Sequence, residues 1–272
     1  PIDDDAIEGT GETTICNVVQ EAVDPWYLVG TPDSAEAFIE DDDTFDQWNE
    51  RIMLQCAGFV DGSQPLFNVP ILIRLTAERA FDYSDANLRG DLRFRDQAEG
   101  DVQLPYEIER WNSGGTSFIW VNVPLITSSA DYIWMYWAHD TGAQESPEPD
   151  WVWNDDHVAV WHLNENGAGT PEEYFDSTAN ENHGQGGDGA AAGVPGRSSG
   201  RIAFGQDFDG TNDFIGVSDD ESFDLVSFTI SGWIKTPDMG GGRRRIVSQQ
   251  GPGGDYWSMA LNNNRLELLS SK

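Results

Sequence analysis

The feature that most narrows the fold of this chain is its punctuation: short runs of aromatic and β-branched residues, each closed by turn residues. Arg51-Ile52-Met53-Leu54-Gln55-Cys56 is one run, and others fall at 69–75, 91–95, 106–111, 118–123 and 132–138. Phe118-Ile119-Trp120-Val121-Asn122-Val123 and Tyr132-Ile133-Trp134-Met135-Tyr136-Trp137 suit strands buried on at least one face. No stretch carries a helical stripe over about 11 residues or more, and 81–88 offers one helical turn at most. Short strands at regular spacing predict an all-β chain that opens with a β-sandwich at 48–139.

Before the sandwich, residues 1–47 read as an acidic arm, with Asp3-Asp4-Asp5 and Asp41-Asp42-Asp43 and short strands at 15–19 and 26–29. After it, 140–156 holds Gly142, Pro147 and Pro149 and reads as a linker. Strand grammar then resumes at 157–163, 203–208, 214–217, 228–234, 245–249, 256–261 and 265–269. The Gly-, Ala- and Asn-rich stretch between Leu163 and Ala203 is too long for idle packing and reads as a loop bearing a ligand or an ion.

Charge excludes several classes of function. The 48 acidic residues against 15 basic ones give a net charge of -33. Such a surface repels nucleic-acid phosphates and anionic lipid. It attracts cations, calcium above all, because calcium takes oxygen ligands. Solubility in salty surroundings accounts for the same composition. No apolar run reaches the ~18 residues of a membrane span. The chain starts at Pro1 without a basic-then-apolar leader, which fits a processed secreted chain or one cut elsewhere. Cys16 and Cys56, an even count, are expected to form one disulfide. Its loop of about 40 residues would be worth roughly 4 kcal/mol, and two free thiols are the alternative.

Two resemblances organise these blocks. Trp48 and Arg51, Asn68-Val69-Pro70, Gly90-Asp91-Leu92-Arg93-Phe94, Leu104-Pro105-Tyr106-Glu107-Ile108-Glu109, Ile119-Trp120-Val121-Asn122-Val123-Pro124 and Ile133-Trp134-Met135-Tyr136 follow one another in order. Over about 48–138 the chain resembles the DUF2341 family, a domain of unknown function in bacterial and archaeal surface proteins. Val160-Trp161-His162-Leu163, the stretch from Phe175 to Gly184, Phe208-Asp209-Gly210-Thr211-Asn212-Asp213 and Phe228-Thr229-Ile230-Ser231-Gly232-Trp233 follow. These resemble a laminin-G-like, concanavalin-A-like jelly roll at 157–272, incomplete at its C-terminal side. The resemblance implies either a fragment or a sheet completed by a partner.

Asp176, Asn180, Asp209 and Asp213 are the candidate calcium ligands, oxygen donors in turns beside Gly184 and Gly210. The jelly-roll resemblance implies such an ion, and tight-turn capping is the plain alternative. Most tryptophans read as core. Trp151 and Trp153, beside the linker, are the candidates for stacking on a sugar. His162 reads as a hydrogen-bonded core residue, and no catalytic motif is found. Glu107 and Glu109 are read as alternating across a strand, hence poor candidates for a facing acid/base pair. Arg243-Arg244-Arg245 reads as a hairpin loop. Together these features predict a secreted, non-enzymatic cell-surface protein that binds carbohydrate or another surface ligand, with calcium stiffening its loops. The alternatives are a self-associating structural subunit of a filament or surface layer, and a binding accessory of a polysaccharide-active enzyme.

Overall fold

The computed structural model describes residues 12–17, 34–39, 48–76, 89–96, 102–139, 148–154, 156–236, 242–250, 256–263 and 265–271. The expected strand at 26–29 and helical turn at 81–88 lie outside them. The chain divides into two units: Pro1–His162 with Asp176–Glu181, and Leu163–Phe175 with Asn182–Lys272.

In the first unit β1 (Glu12–Asn17) and β2 (Ser34–Ile39) form an antiparallel pair. Seven strands follow: β3 (Trp48–Gln55), β4 (Leu66–Thr76), β5 (Arg93–Asp96), β6 (Val102–Gln103), β7 (Tyr106–Arg110), β8 (Thr116–Ile126) and β9 (Tyr132–His139). They make a four-stranded sheet in the order β3-β9-β5-β6 and a three-stranded sheet in the order β4-β8-β7. Alternation decides what each strand buries. In β8, Ile119, Val121 and Val123 are buried with Ile73 and Leu75 of β4 and Tyr106 of β7. Phe94, Ile133 and Met135 of the other sheet join the same buried cluster. Each such side chain contributes about 1.5–3 kcal/mol through removal from water. At the β8–β9 turn Asp131 Oδ2 accepts from the Thr127 and Ser128 amides at 2.6 and 2.9 Å, fixing the hairpin.

The stretch read as a linker is partly structural. Pro149–Val152 forms the short helix α1, opened by a proline at its first turn. The Glu148 amide donates to Tyr106 O at 2.9 Å, and Val152 is fully buried.

The second unit holds β10 (Gly184–Gly186), β11 (Gly196–Ser199), β12 (Phe204–Asp207), β13 (Ile215–Val217), β14 (Arg243–Gln250), β15 (Tyr256–Asn262) and β16 (Arg265–Ser271). They pair as β10-β13, β11-β12 and the meander β14-β15-β16, all antiparallel. Among the described residues these are small antiparallel sheets, and the two long facing sheets expected of a jelly roll are not shown. The long Gly-, Ala- and Asn-rich stretch is therefore subdivided by β10, β11 and two 3-10 turns. Two expected strands are not formed. Residues 157–163 contribute a single bridge, Trp161 to Asp176, and 228–234 join no sheet. Arg243-Arg244-Arg245 lies in β14 and not in a loop. Among the described residues no helix is long and apolar enough to cross a membrane.

Candidate functional site

The densest polar cluster of the first unit forms on the face of β7 and β8 turned away from the hydrophobic core. Side chains two apart on a strand share a face. Trp120 and Asn122 of β8 therefore point opposite to Ile119, Val121 and Val123, and Trp120 stands across from Glu107 of β7. Asn122 Nδ2 donates to the carbonyls of Trp151 and Val152 at 3.2 and 3.0 Å, which secures the end of α1. That anchoring presents Trp153, 8% exposed, to the same face.

His162 closes the cluster. Its Nε2 donates to Glu107 Oε2 at 3.0 Å and its Nδ1 to Glu109 Oε2 at 2.5 Å. This corrects the sequence-based view of the two glutamates: at i and i+2 they lie on one side of β7, and they converge on one imidazole. A bulge assists, since the β7–β8 register slips between Ile108 and Arg110 and leaves Glu109 free to turn inward. Glu107 Oε2 also accepts from Trp153 Nε1 at 2.8 Å, and its Oε1 from Ser177 Oγ at 2.7 Å. Glu109 Oε2 accepts from Trp120 Nε1 at 3.1 Å. The Trp120 ring stacks on the imidazole with a 24° interplanar angle and 6.2 Å between centroids, and Trp153 lies 5.8 Å away.

Electrostatics follow from this geometry. Burial alone would push the His162 pKa down, but the hydrogen bonds and charges of Glu107 and Glu109 raise it to about 10. Burial likewise opposes ionisation of Glu107, yet the donors His162, Trp153 and Ser177 hold its carboxyl below the usual range. The cluster is an imidazolium between two acceptors. Both ring nitrogens are spent as donors, so no lone pair remains for a metal or for a proton at neutral pH. His162 is the hydrogen-bonded interior residue the sequence suggested; its partners were not foreseen.

The other candidates fall in two pairs, one in each unit. Asp176 Oδ1 accepts from the Val160 and Thr178 amides at 2.8 and 3.0 Å, and Asn180 Nδ2 donates to Val158 O at 3.0 Å, within the first unit. In the second unit Asp209 Oδ1 accepts from the Thr211 amide at 2.7 Å, and Asp213 Oδ2 from the Asp209 amide at 2.8 Å. Asp176, Asp209 and Asp213 cap local backbone, whereas Asn180 ties its segment to the carbonyl of Val158, 22 residues away, and the described residues bring no three His, Cys, Asp or Glu side chains together as a metal group. Trp153 is closed to a sugar because its ring is packed and its Nε1 engaged. Trp151 is 73% exposed. Cys56 is a free cysteine, while Cys16 lies in β1, whose side chains fall outside the described residues.

Residues 89–183 match the family model described as a domain of unknown function, DUF2341. No curated protein and no solved structure matches the chain, and nothing found supports a laminin-G-like or concanavalin-A-like domain. The matched stretch takes in Val160-Trp161-His162-Leu163 and Phe175 to His183, blocks read above as the opening of a jelly roll. The contacts supply the reason: His162 and Ser177 are bonded to Glu107 of β7 and belong to the unit that β7 helps to build. The stretch 89–183 is thus a DUF2341 domain within this chain, and the His162 cluster lies inside it.

Proposed function

We propose that this chain is a non-catalytic recognition module of an extracellular or cell-surface protein, with carbohydrate or another surface ligand as its partner. One observation carries the reading. His162, the group best equipped for acid/base chemistry, has both ring nitrogens bonded to the buried carboxylates of Glu107 and Glu109, which favour its charged form, so the cluster serves to hold segments together. Outside it, Trp151 offers an open aromatic face beside the exposed Asp150. An aromatic ring with carboxylate acceptors nearby is a sugar-binding chemistry.

A glycan array probed with the full chain and with Trp151→Ala, each in calcium and in EDTA, tests the reading. Binding to a defined sugar class that Trp151→Ala abolishes, at unchanged melting temperature, is expected. Equal binding by both proteins moves the site elsewhere, and no binding by either rejects carbohydrate as the ligand. A second reading, a structural subunit that assembles with copies of itself, is favoured by the exposed uncharged segment at 225–234.

A further inference from the structure

Residues 226–234 of the second unit have the sequence of a strand and lack its partner. Val226, Phe228, Ile230 and Ile234 alternate with Ser227, Thr229, Ser231 and Trp233, the pattern of a half-buried strand. Yet these nine residues make no backbone hydrogen bond among the described residues, and all are exposed. Val226 is 105% exposed, Trp233 73% and Ile234 54%. An open backbone with an apolar side is a template for another strand.

A two-stranded ribbon alone is marginal in water and needs an apolar surface beneath it. The second unit has one. On one face of the β14-β15-β16 meander, Met259 stands across from Leu268 and Leu261 across from Leu266. Leu268 is 78% exposed and Leu266 60%. Phe228 already reaches this face, its ring 4.8 Å from that of Trp257 in β15.

Charge selects the occupant. The chain carries a net charge of -33, so two copies repel over most of their surfaces. Residues 225–234 hold no charged side chain. An incoming strand must be uncharged, unpaired and alternating in phase, and among the described residues 226–234 itself meets all three conditions.

We infer that 226–234 pairs antiparallel with the same segment of a second copy about a two-fold axis at Ile230. Directly opposed residues of an antiparallel pair share a face. This register sets Ile230 against Ile230, Val226 against Ile234 and Phe228 against Gly232, so the four aliphatic and phenyl side chains lie on one side, and Trp233 lies on the other across from Ser227. Gly232 leaves room for the opposing phenyl ring. The interface is isologous and closes at a dimer. The inference rests on the assembly reading above and is independent of sugar binding.

The test is sedimentation velocity of the full chain over a concentration series, with hydrogen exchange of the 226–234 amides at both ends of the series. A concentration-dependent dimer is expected, with these amides slowed about tenfold or more in it. Ile230→Lys opposes two ammonium groups and is expected to be monomeric, with the melting temperature that the parent chain shows at concentrations where it is monomeric. Ile230→Cys is expected to form a disulfide-linked dimer under mild oxidation that the parent chain does not form. A dimer whose 226–234 amides exchange freely, and which survives Ile230→Lys, overturns the pairing but leaves assembly standing. A chain monomeric at every concentration overturns both.

Discussion

Both His162 nitrogens end on carboxylates, so removing either acid leaves a buried charge short of a partner. Glu109→Gln is expected to lower stability by about 3 kcal/mol, the usual cost of breaking a buried pair from one side. Denaturant unfolding followed by tryptophan fluorescence would show it, because Trp120 and Trp153 line the cluster. The pH dependence has two limbs. His162 is raised from about 6.5 to about 10, so its contribution is complete below about pH 6.5 and is lost as pH rises through about 10. Glu107 is lowered, so its contribution is present above about pH 4.5 and is lost as pH falls through its depressed value. Unfolding free energy should therefore decline on both sides of mildly acidic pH, and His162→Gln should remove the alkaline limb. Cys56 gives a separate test. Burial and the nearby Asp131 and Asp96 push its thiol pKa up. It is expected to accept iodoacetamide without prior reduction, several-fold more slowly than free cysteine at about pH 8. Labelling that requires a reductant would instead establish the bridge to Cys16.

At the level of elements, the long strands between 48 and 139 were legible because their aromatic and β-branched runs alternate cleanly. What misled was a rule of direction at Glu107 and Glu109. Alternation places neighbours on opposite faces and second neighbours together, so these two acids were always on one side of β7. In the second unit, the segment 163–175 is held by Glu173. Its carboxylate accepts from the amides of Ala168, Gly169, Thr170 and Gly186 at 2.6 to 3.0 Å. The next residue, Tyr174, is fully buried, and its hydroxyl has no hydrogen-bond partner among the described residues. Burial and the charge of Glu173 push its pKa up to about 12. Tyr174→Phe is therefore expected to leave the melting temperature unchanged or raise it, within about 1 kcal/mol. Gly167→Ala is expected to lower it by about 1–3 kcal/mol, because the added methyl would run into the Tyr174 hydroxyl.

For the molecule as a whole, the acidic charge raises the question of calcium, which a melting experiment answers. Asp176, Asp209 and Asp213 each accept from a nearby backbone amide, and Asn180 donates to the carbonyl of Val158. Thermal unfolding in millimolar calcium and in EDTA is expected to give the same midpoint. A site with a Kd about 100-fold below the calcium concentration would add about 2.7 kcal/mol and shift it upward. The acidity then acts through solubility and repulsion between copies, which makes an uncharged exposed segment the natural place for contact.

The sequence by itself determined that the chain is β-rich, which runs become the main strands between 48 and 139, and that it carries a DUF2341 block, though not that block's bounds of 89–183, because the first two follow from local alternation and the third from residues in fixed order. It also placed His162 in the interior. Only the tertiary structure decided what His162 does there, because its partner Glu107 lies 55 residues away in the sequence, and Ser177, which also bonds Glu107, lies 70 residues from that glutamate. The same holds at 228–234. Local pattern is sufficient for a strand to be possible, but a strand forms only where a neighbour supplies the other half of its hydrogen bonds, and sequence pattern carries no record of that neighbour.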